Sequence, residues 1–323
     1  MKKKVNERFN KATFSWIILA LVGLLIFNYL FGARILRKSH EIAIISILIN
    51  IMLAASLNLI LGVAGQFSLG HAGFMSIGAY CVAIVLRNIP GYLGFALGIG
   101  LGLIVTTIVS LIVAIPTLRL KGDYLAIATL GVAEIIRITI TNLGDLTGGA
   151  VGISNIERIP TFNMIYVFTI ITLAILSMLR NSRFGRSWNG ILEDEIASSA
   201  MGINITNKKV SAFLIGALMA SVAGAIYASY FTIIQPGLFN FNMSVDILVI
   251  VVLGGLGSFT GTVLSASVIG LINLVFQNFA EERIIIYSIL LIVMMIFKPG
   301  GFLGKEELSF RRIWKRGKKN VTT

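Results

Sequence analysis

Few side chains in this sequence have the chemistry for a functional site, and the clearest group lies in a glycine-rich stretch. Gln66, Ser68 and His71 fall within residues 61–74, which also contain four glycines. Close packing of helices explains the glycines alone. The three polar side chains together indicate burial at a functional site or at a bridge between helices, because polar groups are costly inside strongly apolar segments.

Metal binding and catalysis find no support in the sequence. His71 has no second ligand at metal spacing, and the other histidine, His40, lies in a basic segment. The motifs Gly-Lys-Ser, Gly-Lys-Thr, His-Glu-x-x-His and Gly-x-Ser-x-Gly do not occur. The single Cys81 allows no internal disulfide. We therefore predict a protein that is not an enzyme, with no catalytic residue, no metal site and no cofactor of its own.

Two further groups of residues are candidates for a functional site, an ion pair and a glycine-rich turn. Glu134 and Arg137 are three residues apart in an apolar stretch, so on a helix they share a face and neutralise each other. Such a pair is either structural or a proton-coupling site. Residues 144–153 combine several glycines with Thr147, which is typical of a turn that exposes N–H groups to an anion, or of a flexible loop.

Long apolar segments must position these side chains. Of the 323 residues, 56% are apolar and 13% are charged, and many apolar runs approach the ~20 residues that cross a ~30 Å hydrocarbon core. The composition predicts an all-α fold, a polytopic transmembrane helical bundle with broken helices, in one domain over residues 1–323. We predict about ten spans within residues 14–298, at 14–33, 42–61, 67–86, 92–114, 124–141, 162–179, 211–230, 244–257, 261–279 and 283–298.

The basic residues predict the topology of the bundle. The net charge of +13 lies in short segments between apolar runs, which is typical of cytoplasmic loops and not of nucleic-acid binding. Both termini, the Arg119/Lys121 turn, residues 180–209 and the basic tail 299–323 are therefore predicted to be cytoplasmic. The loops predicted outside are 87–91, 142–161, 231–243 and 280–282. A basic cluster at positions 34, 37 and 38 disagrees with this assignment.

Residues 180–209 form the longest polar segment between two spans, and their centre predicts a short helix. Asn189 can cap its start, acidic residues occupy its early turns, and Gly202 can close its end. Apolar side chains recur at helical spacing and need a partner to bury them: Ile191, Ile196, Ala197, Ala200 and Met201.

Four ordered motifs carry a resemblance to a known family. They are residues 65–74 (GQFSLGHAGF), 122–130 (GDYLAIATL), 146–149 (LTGG), and 195–197 (EIA) followed by 201–204 (MGIN). This sequence resembles the M-type (LivM) permeases of branched-chain amino acid ABC importers, from about residue 42 to residue 304. Residues 180–209 are similar to the family's coupling loop, which docks on the cytoplasmic ATPase.

The resemblance and the residue pattern together assign three sets of candidate site residues. The ATPase-coupling set is Glu193, Asp194, Glu195, Ala197, Met201 and Gly202. The translocation-path set is Gln66, Ser68, His71, Tyr124 and Thr129. The set predicted to dock an extracellular binding protein is Thr147, Gly148 and Gly149.

The resemblance also implies partners and a substrate. We expect a second homologous permease subunit, two cytoplasmic ATPase subunits that bind the ATP, and an extracellular substrate-binding protein. The location implied is the cytoplasmic membrane of a bacterium. Leucine, isoleucine and valine are the expected substrates, with urea or short-chain amides as the alternative. An ion-coupled secondary transporter is less well supported, because Glu134 and Asp246 are the only carboxylates inside the predicted spans.

Overall fold

The computed structural model describes residues 38–117, 120 and 122–276, with short stretches at 23–24, 288–289, 292–294, 296–298 and 300–304. Ten α-helices account for most of this part. They are α1 (Lys38–Asn58), α2 (His71–Asn88), α3 (Gly91–Thr117), α4 (Asp123–Asn142), α5 (Phe162–Asn181), α6 (Arg183–Glu193), α7 (Glu195–Ala200), α8 (Ile205–Phe231), α9 (Phe241–Gly254) and α10 (Phe259–Val275).

The described helices confirm the prediction of an all-α, polytopic membrane bundle. Six helical stretches of the described chain have the length and composition to cross a membrane, and α10 is a shorter apolar helix. They are 38–63, 91–117, 123–142, 162–181, 205–231 and 236–254. The predicted spans 14–33 and 283–298 lie largely outside the described residues, as do the Arg119/Lys121 turn and residues 305–323. The count of ten spans therefore stays a prediction.

Helix α2 lies at the centre of the bundle, packed against α3 and α8. The backbones of α2 and α8 touch through small residues. A Cβ added to Gly78 would lie 1.9 Å from the carbonyl oxygen of Ser221, and one added to Gly224 would lie 1.9 Å from that of Met75. Such small residues let membrane helices approach closely and gain dispersion energy. Helix α1 packs on the other side of this core, against α5, α8 and α10.

One end of the bundle joins the loops that the sequence predicts outside, and we call it the outer end (88–91, 144–161 and 231–241). Ile153 and Ile234 form an antiparallel bridge with N–O distances of 3.0 and 2.9 Å. Arg158 lies 3.6 Å from the Glu41 carboxylate. The carboxylate of Glu157 accepts a 2.7 Å hydrogen bond from the N–H of Gly91.

The inner end consists of residues 62–66, 181–204, 254–261 and 300–304. Two of these stretches belong to segments that the sequence predicts in the cytoplasm, 180–209 and the tail 299–323. The N–H of Phe302 donates to the carbonyl of Leu253 at 2.8 Å, and the guanidinium of Arg180 lies 5.9 Å from the ring centroid of Phe259. The loops thus separate into the same two groups that the basic residues predicted. A turn at 255–258 joins α9 and α10.

Candidate functional site

Residues 180–209 fold into two short helices, so the prediction of one helix from Asn189 to Gly202 is wrong. Helix α6 begins after Ser182, whose hydroxyl accepts the N–H of Phe184 at 3.1 Å, and Asn189 lies within it. The chain then breaks at Asp194. Its carboxylate accepts the N–H groups that follow it and caps α7. A short acidic side chain is favoured at such a cap because it satisfies free N–H groups and opposes the helix dipole.

Helix α6 anchors the segment to the bundle. The side chain of Trp188 is buried, and its indole N–H donates to the carbonyl of Lys208 at 2.9 Å. Ile191 is also buried, with 3% of its surface exposed. The prediction that Ile191 needs an external partner is therefore wrong, because the bundle itself covers it.

Helix α7 presents an uncovered apolar surface at the inner end, which we call the α7 surface (Ile196, Ala197, Ala200 and Met201). Ile196 and Met201 each have 83% of their surface exposed, and both alanines are exposed as well. Gly202 ends the helix with a φ of +82°, and the N–H of Ile203 returns to the carbonyl of Ser198 at 3.1 Å. Glycine takes up this left-handed conformation without steric cost.

The acidic residues of the segment divide into exposed and paired groups. Glu193 and Asp194 are exposed. Glu195 forms an ion pair with Lys209, whose side chain is 14% exposed against 38% for Glu195. This pair ties the start of α7 to the first turns of α8. Glu195, predicted to serve ATPase coupling, therefore has a partner within its own chain.

The glycine-rich stretch, residues 61–74, contacts the 180–209 segment. Helix α1 continues as a π-helical turn, Leu59–Val63, and residues 64–70 are non-helical before α2 begins. The side chain of Gln66 is buried, and its amide donates to the carbonyl of Lys209 at 3.0 Å. A Cβ added to Gly65 would lie 2.6 Å from a terminal methyl of Leu192 in α6. Gln66, predicted on the translocation path, therefore lies against the 180–209 segment.

The other predicted path residues separate into a buried group and an exposed one. Ser68, His71 and Thr129 each have 2% or less of their surface exposed. The Thr129 hydroxyl accepts the N–H of Leu69 at 3.0 Å, and Nε2 of His71 lies 2.7 Å from the Ser56 hydroxyl oxygen. The first contact joins α4 to residues 64–70, and the second joins α1 to α2. Tyr124 does not join them, because it is 74% exposed at the start of α4.

Sequence reasoning missed Asn58, which connects the broken helix to the α9–α10 turn. Its amide nitrogen donates to the carbonyl of Ser258 at 3.0 Å and to the hydroxyl of Thr262 at 2.7 Å. Its amide oxygen accepts the N–H of Gly257 at 2.8 Å. Asn58 is fully buried, directly before the π-helical turn. The available signal was an amide side chain inside a long apolar run.

At the outer end, the predicted docking residues belong to a tightly folded loop. The Thr147 side chain is buried and donates to the carbonyl of Ile140 at 2.6 Å, so it shapes the loop from within. Gly148 is exposed and Gly149 is partly exposed. The predicted docking set did not include the neighbouring apolar residues Leu146 and Val151, which are 58% and 79% exposed.

The described chain is thus a membrane-helix bundle that carries an exposed apolar helix at one end and a break lined by buried polar side chains inside. Residues 39–298 match the family described as "Branched-chain amino acid transport system / permease component", and the chain belongs to that family. The high-affinity branched-chain amino acid transport system permease protein LivM of Salmonella typhimurium is 32% identical, covering 88% of this chain and 74% of its own length.

Other relatives belong to the same named system. The Escherichia coli LivM protein is 31% identical over the same shares of both chains. The permease protein LivH of Escherichia coli is 30% identical over 45% of this chain and 48% of its own length. This chain is thus similar to two differently named permeases. No solved structure is significantly similar to it.

Proposed function

We propose that this chain is a permease subunit of an ABC importer that moves branched-chain amino acids across the bacterial cytoplasmic membrane. Its partners in this proposal are a second homologous permease, two ATPase subunits that bind ATP, and an extracellular substrate-binding protein. The observation that carries the proposal is the α7 surface, which is apolar, exposed and held to the membrane bundle by specific contacts. Family membership supports the same conclusion.

The α7 surface has the composition of a helix that docks in a groove of another protein. Ile196 and Met201 project from a short helix whose position is set by Asp194 on one side and Gly202 on the other. Burying one such side chain contributes about 1.5–3 kcal/mol. Two of them supply more affinity than the exposed carboxylates, since surface ion pairs contribute about 0–1 kcal/mol each. We therefore expect the ATPase to hold α7 mainly through its apolar side chains.

A chain of contacts connects α7 to the buried polar residues of the 64–70 stretch and His71. The Glu195–Lys209 pair and the Trp188–Lys208 hydrogen bond attach α7 and α6 to the start of α8. Gln66 binds the carbonyl of Lys209 and begins the stretch that ends at His71. An ATPase that pulls or pushes α7 would therefore displace residues 64–70 between α1 and α4. We propose that this displacement opens and closes the substrate route.

The substrate class rests on the family and the named relatives, so it needs its own experiment. The assay reconstitutes the purified importer with its binding protein in proteoliposomes and measures uptake of labelled leucine, isoleucine, valine and urea. We expect ATP-dependent uptake of the three amino acids. Uptake of urea alone would favour the amide-type alternative, and uptake driven by an ion gradient without ATP would refute an ABC importer.

Docking of the ATPase is tested by two matched substitutions at opposite ends of the molecule. Ile196→Ser removes an apolar anchor from the α7 surface, and Val151→Ser changes a residue of similar exposure at the outer end. We expect Ile196→Ser to lower co-purification of the ATPases about ten-fold, because the loss of about 1.5 kcal/mol corresponds to that factor. Val151→Ser should leave co-purification unchanged. Equal co-purification of both variants with the ATPases would contradict the proposed docking surface.

A further inference from the structure

An ion pair lies in the middle of a helix that is long and apolar enough to cross the membrane. Glu134 is the twelfth of the twenty residues of α4, Asp123–Asn142, and Arg137 follows one turn later. Their closest N–O distance is 2.7 Å, and a second hydrogen bond of 2.8 Å joins the same carboxylate oxygen to Nε. About a third of each side chain is exposed, 34% for Glu134 and 32% for Arg137. The pair is therefore on the surface of this chain at membrane depth.

The exposed side of α4 forms a continuous stripe, which we call the α4 stripe (Tyr124, Ile127, Gly131, Glu134 and Ile138). These residues repeat at intervals of three and four, the spacing that aligns side chains for packing against another helix. The two isoleucines are 64% and 50% exposed. A Cβ added to Gly131 would meet no atom of the described chain within 4 Å, so a neighbouring backbone can approach closely there. The opposite side of α4 packs against α2.

The exposed face of α3 has the apolar composition expected of a lipid-facing surface. Its exposed residues are apolar throughout the middle of the helix: Leu97, Leu101, Ile104, Ile108 and Ile112. The α4 stripe differs because it carries a glutamate and adjoins an arginine. Ionisable side chains inside membrane segments almost always face other protein or a water-filled cavity. The exposed faces of α3 and α4 therefore differ in polarity.

A third ionisable group, the carboxylate of Asp246, lies on a neighbouring helix. Asp246 in α9 is exposed, and α9 contacts α4. Helix α9 belongs to the stretch 236–254, which is also long and apolar enough to span the membrane. The α4–α9 side of the bundle thus combines ionisable groups at membrane depth, whereas the middle of α3 exposes apolar residues only.

From these observations we infer that the α4 stripe borders a water-filled route between this chain and a second, homologous permease subunit. The inference rests on the proposed function and adds which face of the bundle meets the partner. A homologous occupant is favoured because the chain is similar to both LivM and LivH permeases, so two related subunits of one named system share its sequence pattern. In such a pair, related helices face each other about a shared axis.

The chemistry of the route suits a zwitterionic amino acid. Such a solute carries an ammonium and a carboxylate and needs polar surroundings in place of its hydration shell. Glu134 and Arg137 offer one group of each sign, and each neutralises the other when no solute is present. The pair therefore makes the route polar without leaving an uncompensated charge at membrane depth.

Accessibility of cysteines to a charged thiol reagent tests the inference. Ile135 follows Glu134 and lies one turn after Gly131, so it borders the α4 stripe. Ile135→Cys on α4 and Ile104→Cys on α3 are matched, because the two isoleucines are 64% and 61% exposed and both lie near the middle of their helices. Each is introduced with Cys81→Ser into the complete importer. We expect sulfonate-bearing methanethiosulfonate to modify Ile135→Cys at least about ten-fold faster than Ile104→Cys, because the reagent reacts in water and not in lipid. Equally slow modification of both cysteines would overturn the inference.

Photo-cross-linking identifies the neighbour of the stripe. A benzophenone side chain replaces Ile135, or Ile104 as the control, in the purified importer. We expect the Ile135 probe to form a product with the second permease subunit and the Ile104 probe to form none. A product between two copies of this chain, or adducts with lipid only, would overturn the assignment of the homologous subunit.

The role of the charges is tested by replacing both with apolar residues of similar size. The double variant Glu134→Leu, Arg137→Met should insert and fold, since it removes charges from a membrane helix. We expect leucine uptake to fall at least about ten-fold while co-purification of the ATPases is unchanged, because the polar lining is lost. Unchanged uptake would show that the pair only stabilises the helix. Loss of ATPase co-purification from the unmodified importer would instead refute the proposed function.

Discussion

Replacing Gly65 with alanine tests whether the coupling segment and the broken helix move together. Gly65 has a φ of +69°, and the added Cβ would lie 2.6 Å from a terminal methyl of Leu192. The substitution therefore has two consequences. It strains the backbone of the break, and it pushes on the C-terminal part of α6, next to the α7 helix that we propose the ATPase holds.

The magnitude follows from the backbone conformation. An alanine in the left-handed region costs about 1–2 kcal/mol, and a change of 1.4 kcal/mol is a factor of ten in an equilibrium. The contact with Leu192 adds less, because that side chain is 38% exposed and its far end can shift. Two arrangements are compared: one in which residues 64–70 move together with α6 and α7, and one in which they do not. We therefore expect Gly65→Ala to change the equilibrium between them roughly 5- to 30-fold.

Gly91 supplies a control with the same backbone strain in a different place. Its φ is +86°, and a Cβ there would meet no described atom within 4 Å. It lies at the outer end, at the start of α3. Gly91→Ala should therefore cost a similar free energy of folding without touching the coupling segment. Thermal stability in detergent, measured for both variants, checks that their strain is comparable.

The assay measures leucine uptake per ATP hydrolysed in proteoliposomes that contain the complete importer. Gly65→Ala should lower this ratio at least about five-fold, whereas Gly91→Ala should change it by less than about two-fold. Leu192→Ala, added to Gly65→Ala, should restore part of the ratio because it removes the steric contact. Equal loss in Gly65→Ala and Gly91→Ala, or no effect of Leu192→Ala, would refute the mechanical connection between the two segments.

Three further predictions concern Asn58, the outer loop and the topology of the chain. Asn58→Leu should lower the free energy of unfolding by about 2–3 kcal/mol, since hydrogen bonds between membrane helices contribute about 0.6–1.7 kcal/mol each. Asn88→Leu, at an exposed helix end, is the control, and an equal fall in thermal stability would contradict the role of Asn58. Thr147→Val should reduce uptake at limiting binding protein and leave the saturated rate unchanged, because it loosens the outer loop; a lower saturated rate would count against docking. An impermeant thiol reagent should label Ser182→Cys only from the cytoplasm and Gly237→Cys only from outside, in a cysteine-free background, and labelling of both from one face would refute the topology.

The sequence alone was sufficient to predict the class of protein, the positions of most helices and the division of the loops into two groups. These properties depend on local composition, because a run of about twenty apolar residues has no stable place in water and basic residues mark one side of the membrane. The short motifs were sufficient for the family. The position of the 180–209 segment was also predictable, because it is a long polar stretch between two apolar runs.

The internal structure of that segment was only partly predictable. A helix ended by Gly202 was expected and is present. The break at Asp194 was not, because an aspartate in a run of three acids fits both the early turns of one helix and the cap of a second. The choice between them depends on Trp188 and Ile191, which are buried against the bundle and position α6 before α7 begins.

The partners of the buried polar residues were decided only by the tertiary structure. Gln66 binds a carbonyl 143 positions away, and Asn58 binds Ser258 and Thr262 at separations of 200 and 204. Periodicity reports which face of a helix is apolar, but it carries no information about which distant element covers that face. These contacts arise when α1, α8 and the α9–α10 turn pack together and each buried polar group must find a partner, since an unpaired one costs several kcal/mol in hydrocarbon.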